Sequence, residues 1–361
     1  MRLSKGVQSS FALLAMSAAV VVAIALWAWW LSFDRPSLFP RPHVVVYEAI
    51  SLAQRTAGQD VVVGQNALDD NPLIQLFAYS IKTFGHHYQG MAMAQLPFMA
   101  LLIFSAGFLG WRFGGPAAGA LASVVAAFAP MTVGLGVCID DLLGIQALNA
   151  FALALIAWSD SPRRRWLGFL AAFPMALSIP ISCWFTNGLI SLGIFAMGAF
   201  SILAWQWWRW RSKIQGRPRL SESPIWGTFG AVTAFCAGLY LALPIPVKYL
   251  TSEAANTEFA YLNVLRNADA LSALPSVWYY YLATPILAIM ALLAVPAACW
   301  GKKFYRLLPM IGWLVLPMIF FTLMNKRHDF YLITMTLPTY VLISLGVVFL
   351  PKRWAQIAAA I

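Results

Sequence analysis

The stretch Phe321–Pro338, FTLMNKRHDFYLITMTLP, sets Lys326, Arg327, His328 and Asp329 between two apolar runs. Those runs, 307–324 and 330–350, approach the roughly 20 residues that a helix needs to cross the hydrocarbon core. A polar tetrad flanked in this way reads as the turn between two membrane spans. The whole chain supports that reading. It is 61% hydrophobic and 10% charged, where a soluble domain carries roughly 25% charged residues. Its mean hydropathy is +0.73. Sixteen Trp and 24 Phe suit lipid-facing and interfacial positions. The expected fold class is an all-α polytopic membrane protein.

Ten candidate spans follow: 11–33, 91–111, 116–136, 142–158, 166–182, 188–208, 225–246, 277–299, 307–324 and 330–350. The pair 166–208 is the most broken, interrupted by Pro180 and Asn187. The first run begins like a signal peptide. It is nevertheless of full spanning length, ends in WAWWLSF and shows no small-residue cleavage site, so it reads as a retained anchor. The chain is expected to form one transmembrane domain, 1–361, with two long loops at 34–90 and 247–276. Within the first loop, 43–57 and 72–84 carry apolar faces at helical spacing, and Pro72 suits a helix start. Two amphipathic helices on the membrane surface are expected there.

Charge sets the orientation. With the N-terminus inside, the inner segments hold sixteen of the 24 Lys and Arg residues and only Asp160 and Glu222 of the 13 acids. This is the positive-inside asymmetry, so the pI near 9.7 reports topology and not a nucleic-acid footprint. WQWWRWRSK (205–213) is read as the aromatic-basic border of a span. The expected location is the inner (plasma) membrane, multi-pass, with loops 34–90 and 247–276 and the K-R-H-D turn on the extracytoplasmic side.

The polar residues on that side are the candidate site. An Arg fork beside a Lys point charge suits a phosphate, which makes Lys326 and Arg327 an anion site, alternative to a plain interfacial turn. Asp140 and Asp141 open the span 142–158. They suit helix capping, a general base, or a cation ligand. Asn149 and Gln146 continue into the span and can bond neighbouring helices. Asp34, His43 and Glu48 follow the first span. His86 and His87 have no third ligand at fixed spacing and read as an interfacial turn. The four cysteines show no CxxC or Cys/His cluster and read as small buried hydrophobes.

In order along the chain, four stretches resemble the GT-C superfamily of membrane glycosyltransferases, which includes protein O-mannosyltransferases and lipid A aminoarabinose transferases. DNPLIQLFAYSIKTFGHHYQGMAMAQLPF resembles the segment leading into the second span. APMTVGLGVCIDDLLGIQALNAFAL resembles the second acidic motif, with Asp140 on the acid. RRRWLGFLAAFPMALSIPISCWFTNGLISL resembles the following hairpin, without its usual Lys. KRHDFYLITMTLP resembles the element whose basic residues face a lipid-linked phosphate. The resemblance implies a polyprenyl-phosphate sugar donor held by Lys326, Arg327, His328 and Tyr331, and an acceptor that is not named. An acid in the first loop would be the base, and Asp140, with Asp141 beside it, would support the acceptor or a divalent cation (Mg or Mn). Aligning Tyr47 on the family's loop-one Tyr puts His43 where an Asp is usual, so Glu48, Asp34 or His43 itself would be the base. The chain also shows no equivalent of the soluble C-terminal domain of many members.

Three functions are therefore open: a sugar transfer that inverts the anomeric centre, a non-catalytic GT-C-like subunit or lipid-binding scaffold with a protein partner, and a transporter or flippase. The last lacks matched Gly/Pro-interrupted halves. The orientation is directly testable. In a cysteine-free background, Ala254→Cys should react with a membrane-impermeant maleimide in intact cells, and Ser221→Cys should react only after lysis. The reverse pattern would invert the topology.

Overall fold

The structure, a computed structural model, describes residues 5–31, 43–58, 70–85, 87–129, 132, 141–182, 185–212, 224–242, 285–301, 303–323 and 335–350. Helices and two short 3-10 turns are the only regular elements among them. In chain order the helices are α1 (Lys5–Leu31), α2 (His43–Thr56), α3 (Pro72–Phe84), α4 (His87–Gly114), α5 (Pro116–Phe128), α6 (Leu142–Trp158), α7 (Trp166–Leu170), α8 (Ala172–Ser178), α9 (Phe185–Ser212), α10 (Ile225–Ala242), α11 (Pro285–Trp300), α12 (Leu308–Leu323) and α13 (Thr336–Phe349). The 3-10 turns are Pro162–Arg164 and Phe304–Arg306.

Each of the ten expected spans contains helix. Gly6–Trp29, Gln89–Gly114, Ile190–Ser212 and Ile225–Ala242 are long and apolar enough to cross a membrane, and six shorter apolar helices pack with them. The outer surface of the bundle is itself apolar. Val21 and Leu26 on α1, Phe229 and Val232 on α10, and Leu292 and Leu293 on α11 are all exposed. Such a continuous apolar exterior is what lipid requires and water does not tolerate. Together these features make the chain a polytopic helical membrane protein.

Two boundaries differ from the sequence reading, and proline explains both. Within the run 116–136, α5 ends at Phe128, Ala129 turns extended at φ −64° and ψ 132°, and Thr132 is helical again. Ala129 precedes Pro130, and a residue before proline is pushed out of the helical region. The run 166–182 is two helices that part at Ala171, ahead of the interruption expected at Pro180. Pro174, in the first turn of α8, cannot donate to the carbonyl of Leu170 and crowds it, which favours a break at this point. A third reading is corrected as well. Cys236 and Cys299 are exposed free thiols and not buried hydrophobes, because they lie on the outward faces of the peripheral helices α10 and α11. Cys138 and Cys183 fall outside the described residues.

At the centre stands α4, which packs against α1, α3, α5, α6 and α13. Helices in lipid gain little from hydrophobic association, so close backbone approach through small residues carries their packing. A Cβ on Gly119 of α5 would lie 2.8 Å from the carbonyl oxygen of Gly107 of α4. A second contact of this kind joins α7 and α10, where a Cβ on Gly230 would lie 2.3 Å from the carbonyl carbon of Gly168.

The loop helices are not free amphipathic segments. On α3, Leu73, Ile74, Phe77, Ala78 and Ile81 are buried. They form one apolar cluster with Ala49 and Ala53 of α2, Met91 and Ala94 of α4, and Ile145 and Leu148 of α6. The opposite side of α3 exposes Leu76, Tyr79 and Phe84. Gln75 and Lys82 are exposed beside them, so the helix is amphipathic, with its apolar face on the bundle and a mixed face turned away. Ser80 donates to the carbonyl of Gly90 and fastens α3 to the first turn of α4.

The Gly168–Gly230 contact has no slack, since both sides are backbone. Gly230→Val should lower the melting temperature by several degrees in detergent, in line with the roughly 1–3 kcal/mol of an overpacked core. Gly193→Ala, where a Cβ meets nothing within 4 Å, should not. Equal melting of both variants would show that this crossing does not hold the bundle together.

Candidate functional site

Asp141 immediately precedes α6, and its side chain is completely buried. Its backbone carbonyl accepts the first helical bond, from the N–H of Ile145 at 3.0 Å. Its carboxylate makes no capping bond to the first turn, which removes side-chain capping from the roles considered for it. The helix N-terminus still favours a negative charge there. A buried carboxylate in an apolar bundle is costly, and in membrane proteins such groups mark function by default.

One turn into α6, the Nε2 of Gln146 donates to the Oγ1 of Thr336 at 2.6 Å. This bond ties the start of α6 to the start of α13. In sequence, Thr336 stands nine residues beyond Arg327, and Gln146 five beyond Asp141. One turn further, Tyr340 of α13 is fully buried and its hydroxyl accepts from Thr132 at 3.4 Å. On α6, the Nδ2 of Asn149 donates to the hydroxyl of Ser191 at 2.9 Å and to its carbonyl at 3.2 Å. The bonding expected of Gln146 and Asn149 across helices is thus present, on named partners.

Asn71 joins the first loop to this end of the bundle. Its Oδ1 accepts from the N–H of Leu73 at 2.9 Å and of Ile74 at 3.4 Å, capping α3. Its Nδ2 donates at 3.1 Å to the carbonyls of both Pro180 and Ser182, just past α8. One side chain therefore starts a loop helix and anchors it to the α8–α9 hairpin. The left-handed Gly85, at φ +81°, closes the same helix.

The starts of α6, α13 and α4, the α8–α9 turn and the loop helices α2 and α3 thus meet at one end of the bundle. Of the residues named from the sequence, Asp141 has a described side chain here. His43 and Glu48 lie on α2, whose Ala49 and Ala53 pack with Ile145 and Leu148 of α6. Their side chains fall outside the described residues, as do Asp34, Asp140, Lys326, Arg327, His328 and Tyr331 entirely. Among the described residues no three His, Cys, Asp or Glu side chains gather. A divalent cation at Asp140, as the resemblance allows, would draw the rest of its ligands from elsewhere in the chain or from substrate.

Three residues of this end escaped the sequence reading. Asn71 was legible: Asn followed by Pro is a strong helix-start pair, the first as cap and the second at the first helical position. Thr336 and Thr132 were not, since a lone Thr in an apolar run carries no signal until its partner across the bundle is known.

The sequence matches no protein-family model and no curated protein. Solved structures do share the fold. ArnT from Cupriavidus metallidurans bound to undecaprenyl phosphate superposes with a TM-score of 0.64 at 17% identity, over 95% of this chain and 62% of that one. The oligosaccharyltransferase AglB from Archaeoglobus fulgidus, in complex with an inhibitory peptide and a dolichol-phosphate, gives 0.51 at 12% identity, over 97% and 52%. Its apo form gives 0.54. Both proteins are GT-C superfamily members, so the fold implied by the resemblance is the fold observed. The chain spans about three fifths of the length of ArnT and about half that of AglB.

The two halves of the Asn71 side chain are separable. Asn71→Asp keeps the cap and loses the bonds to the hairpin, whereas Asn71→Ala loses both. Capping is worth about 0.5–2 kcal/mol, so hydrogen exchange of α3 should rise in the order wild type, Asp, Ala. Equal exchange in all three would mean that the apolar face alone holds α3.

Proposed function

We propose that this protein transfers a sugar from a polyprenyl-phosphate-linked donor to a lipid, glycan or protein acceptor on the extracytoplasmic face of the membrane. The observation that carries the proposal is the bond between Gln146 and Thr336. It brings the helix that follows the Asp140–Asp141 pair against the helix that follows K-R-H-D, at the end where the loop helix bearing His43 and Glu48 docks. That contact between the two helices supports a reading in which acid, base and phosphate-binding residues work together, as sugar transfer from a lipid phosphate needs. The fold shared with proteins crystallised with undecaprenyl phosphate and dolichol-phosphate supports the donor class.

The reaction follows from charge. A loop-one base, His43, Glu48 or Asp34, takes the proton of the acceptor nucleophile, which attacks the anomeric carbon from the face opposite the phosphate. The bond from that carbon to the phosphate oxygen breaks, and its electron pair leaves on the polyprenyl phosphate. Negative charge therefore grows at the phosphate, where Lys326 and Arg327 supply positive charge and His328 and Tyr331 further hydrogen bonds. Fixed charge of this kind lowers the barrier most, because it needs no reorganisation. Asp140 and Asp141 orient the acceptor. A divalent cation bound by Asp140 would supply further positive charge for the leaving phosphate.

A second reading keeps the fold without the chemistry, as a GT-C-like subunit with a protein partner. It draws on His43 standing at the position where the family has an Asp, and on the hairpin SCWFTNG, which lacks the family's Lys.

Native mass spectrometry separates the two. Wild type should carry a polyprenyl-phosphate mass that Lys326→Ala/Arg327→Ala loses. Transfer should fall about 100-fold or more in Asp140→Asn, the scale of removing one preorganised group. A wild type without such a lipid, co-isolating with another protein in fixed stoichiometry and inactive in transfer, would replace the first reading by the second.

A further inference from the structure

The opposite end of the bundle collects arginines. Arg112 ends α4, Arg164 lies in the first 3-10 turn, Arg209 ends α9, and Arg306 closes the second 3-10 turn. These four residues come from four separate segments. Arg164 lies over the ring of Trp158 on α6 at 4.8 Å, and Arg306 over Tyr305, whose ring is 5.8 Å from that of Trp208 on α9. The one acid on this end among the described residues is Asp160, already paired with Arg112. Arg112 also donates from Nε to the carbonyl of Ala157 at 2.6 Å.

Dispersed arginines would satisfy the positive-inside rule equally well. Here they converge. Arg112 and Arg209 share one indole ring, each with its Cζ 5.3 Å from the centroid of Trp205. Trp205 is only 4% exposed, and its Nε1–H is buried with no hydrogen-bond partner among the described residues. Arg306 is half-buried, its Nε donating to the hydroxyl of Tyr305 at 3.1 Å. Converging guanidiniums, one neutralising carboxylate and an orphan indole donor together call for an anion with several oxygen acceptors. Arg forks match a phosphate in particular.

We propose that this cluster binds the phosphate headgroup of an anionic membrane lipid, at the end of the bundle remote from the site described above. A lipid, as opposed to a soluble anion, is assigned because the cluster sits where apolar helices end. The surrounding rings mark a bilayer border: Trp207 and Trp208 are exposed on α9, and Trp300 is exposed at the end of α11. Aromatic belts of this kind lie at headgroup level, and basic pockets between helices at that level take anionic headgroups. The proposal is independent of the sugar-transfer reading.

The test uses the full chain in nanodiscs of equal phosphatidylglycerol and phosphatidylethanolamine, released for native mass spectrometry. Wild type should retain phosphatidylglycerol preferentially. Arg209→Lys/Arg306→Lys keeps the charge and the topology but loses the forks, and should retain at least five-fold less. Arg163→Lys, on the exposed side of the same turn, should retain as much as wild type. Equal retention of the two lipids by wild type would overturn the proposal, and so would equal retention by the double variant and wild type. A matching loss in Arg163→Lys would reduce the effect to diffuse attraction. If millimolar inorganic phosphate raises the melting temperature of wild type as far as phosphatidylglycerol does, the site takes a free anion and the lipid assignment fails. The two wild-type measurements decide the matter even if the double variant does not fold.

Discussion

A polar group inside a lipid-embedded bundle has no water to fall back on, so it is stable where it bonds back to its own helix or across a helix interface. Gln146 and Thr336 meet this demand for the two segments that matter most here. Neither residue stands in the set that would touch substrate. Their bond nevertheless fixes how the start of α6 lies against the start of α13, and therefore how two separate motifs approach each other. Interhelical bonds of this type are individually modest, averaging about 0.6 kcal/mol. Their value lies in register: a slide or rotation of either helix would leave a buried amide without its acceptor. Asn149 with Ser191 repeats the device between α6 and α9. Helix α6 is thus indexed to two neighbours by two amides three residues apart on one side.

Asn71 extends the same logic to the loop. An amphipathic helix in a long connection can slide on a membrane surface. This one cannot, because its cap residue is also bonded to the α8–α9 turn, while its inner face is buried against α4 and α6. The outer face is mixed, with Leu76, Tyr79 and Phe84 beside Gln75 and Lys82. A loop held this way positions α2 and α3 beside the start of α6.

Much of this was legible in the sequence because the bilayer imposes so strong a pattern. Run length, the charge asymmetry and Pro72 located the spans and both loop helices. What escaped was set by single residues acting at a distance. Pro130 ends α5 early through the residue before it, and Pro174 breaks a helix inside a run that hydropathy alone reads as continuous. Cys236 and Cys299 look like core residues in an apolar segment, since hydropathy cannot tell a bundle interior from a lipid-facing surface. Thr336 and Thr132 gain meaning only from partners some two hundred positions away. The candidate residues themselves were chosen by charge in the wrong solvent, which is why an acid pair and a Lys-Arg pair stood out. Their neighbours in space could not be read from spacing, because they come from opposite halves of the chain.

The bundle keeps its two kinds of polar residue apart by end. Around Asp141 the described polar side chains are amides and hydroxyls, with Asp141 as the buried charge. At the other end, guanidiniums gather around Asp160 and stack on Trp205, Trp158 and Tyr305. Cation–π contact is worth about 0.5–1 kcal/mol at exposed sites and more when desolvated. Part of the arginine charge is thus held by rings without a carboxylate to cancel it. The consequence is asymmetric: under the lipid proposal the basic end fixes the height and orientation of the bundle through headgroups, with Asp160 engaging Arg112 alone among the described arginines. The end around Asp141, free of that duty, can hold an acid pair next to an apolar core. Separation of the two tasks explains why the residues that stabilise the fold (Gln146, Thr336, Asn71 and the close glycines) do not overlap with those proposed to do chemistry.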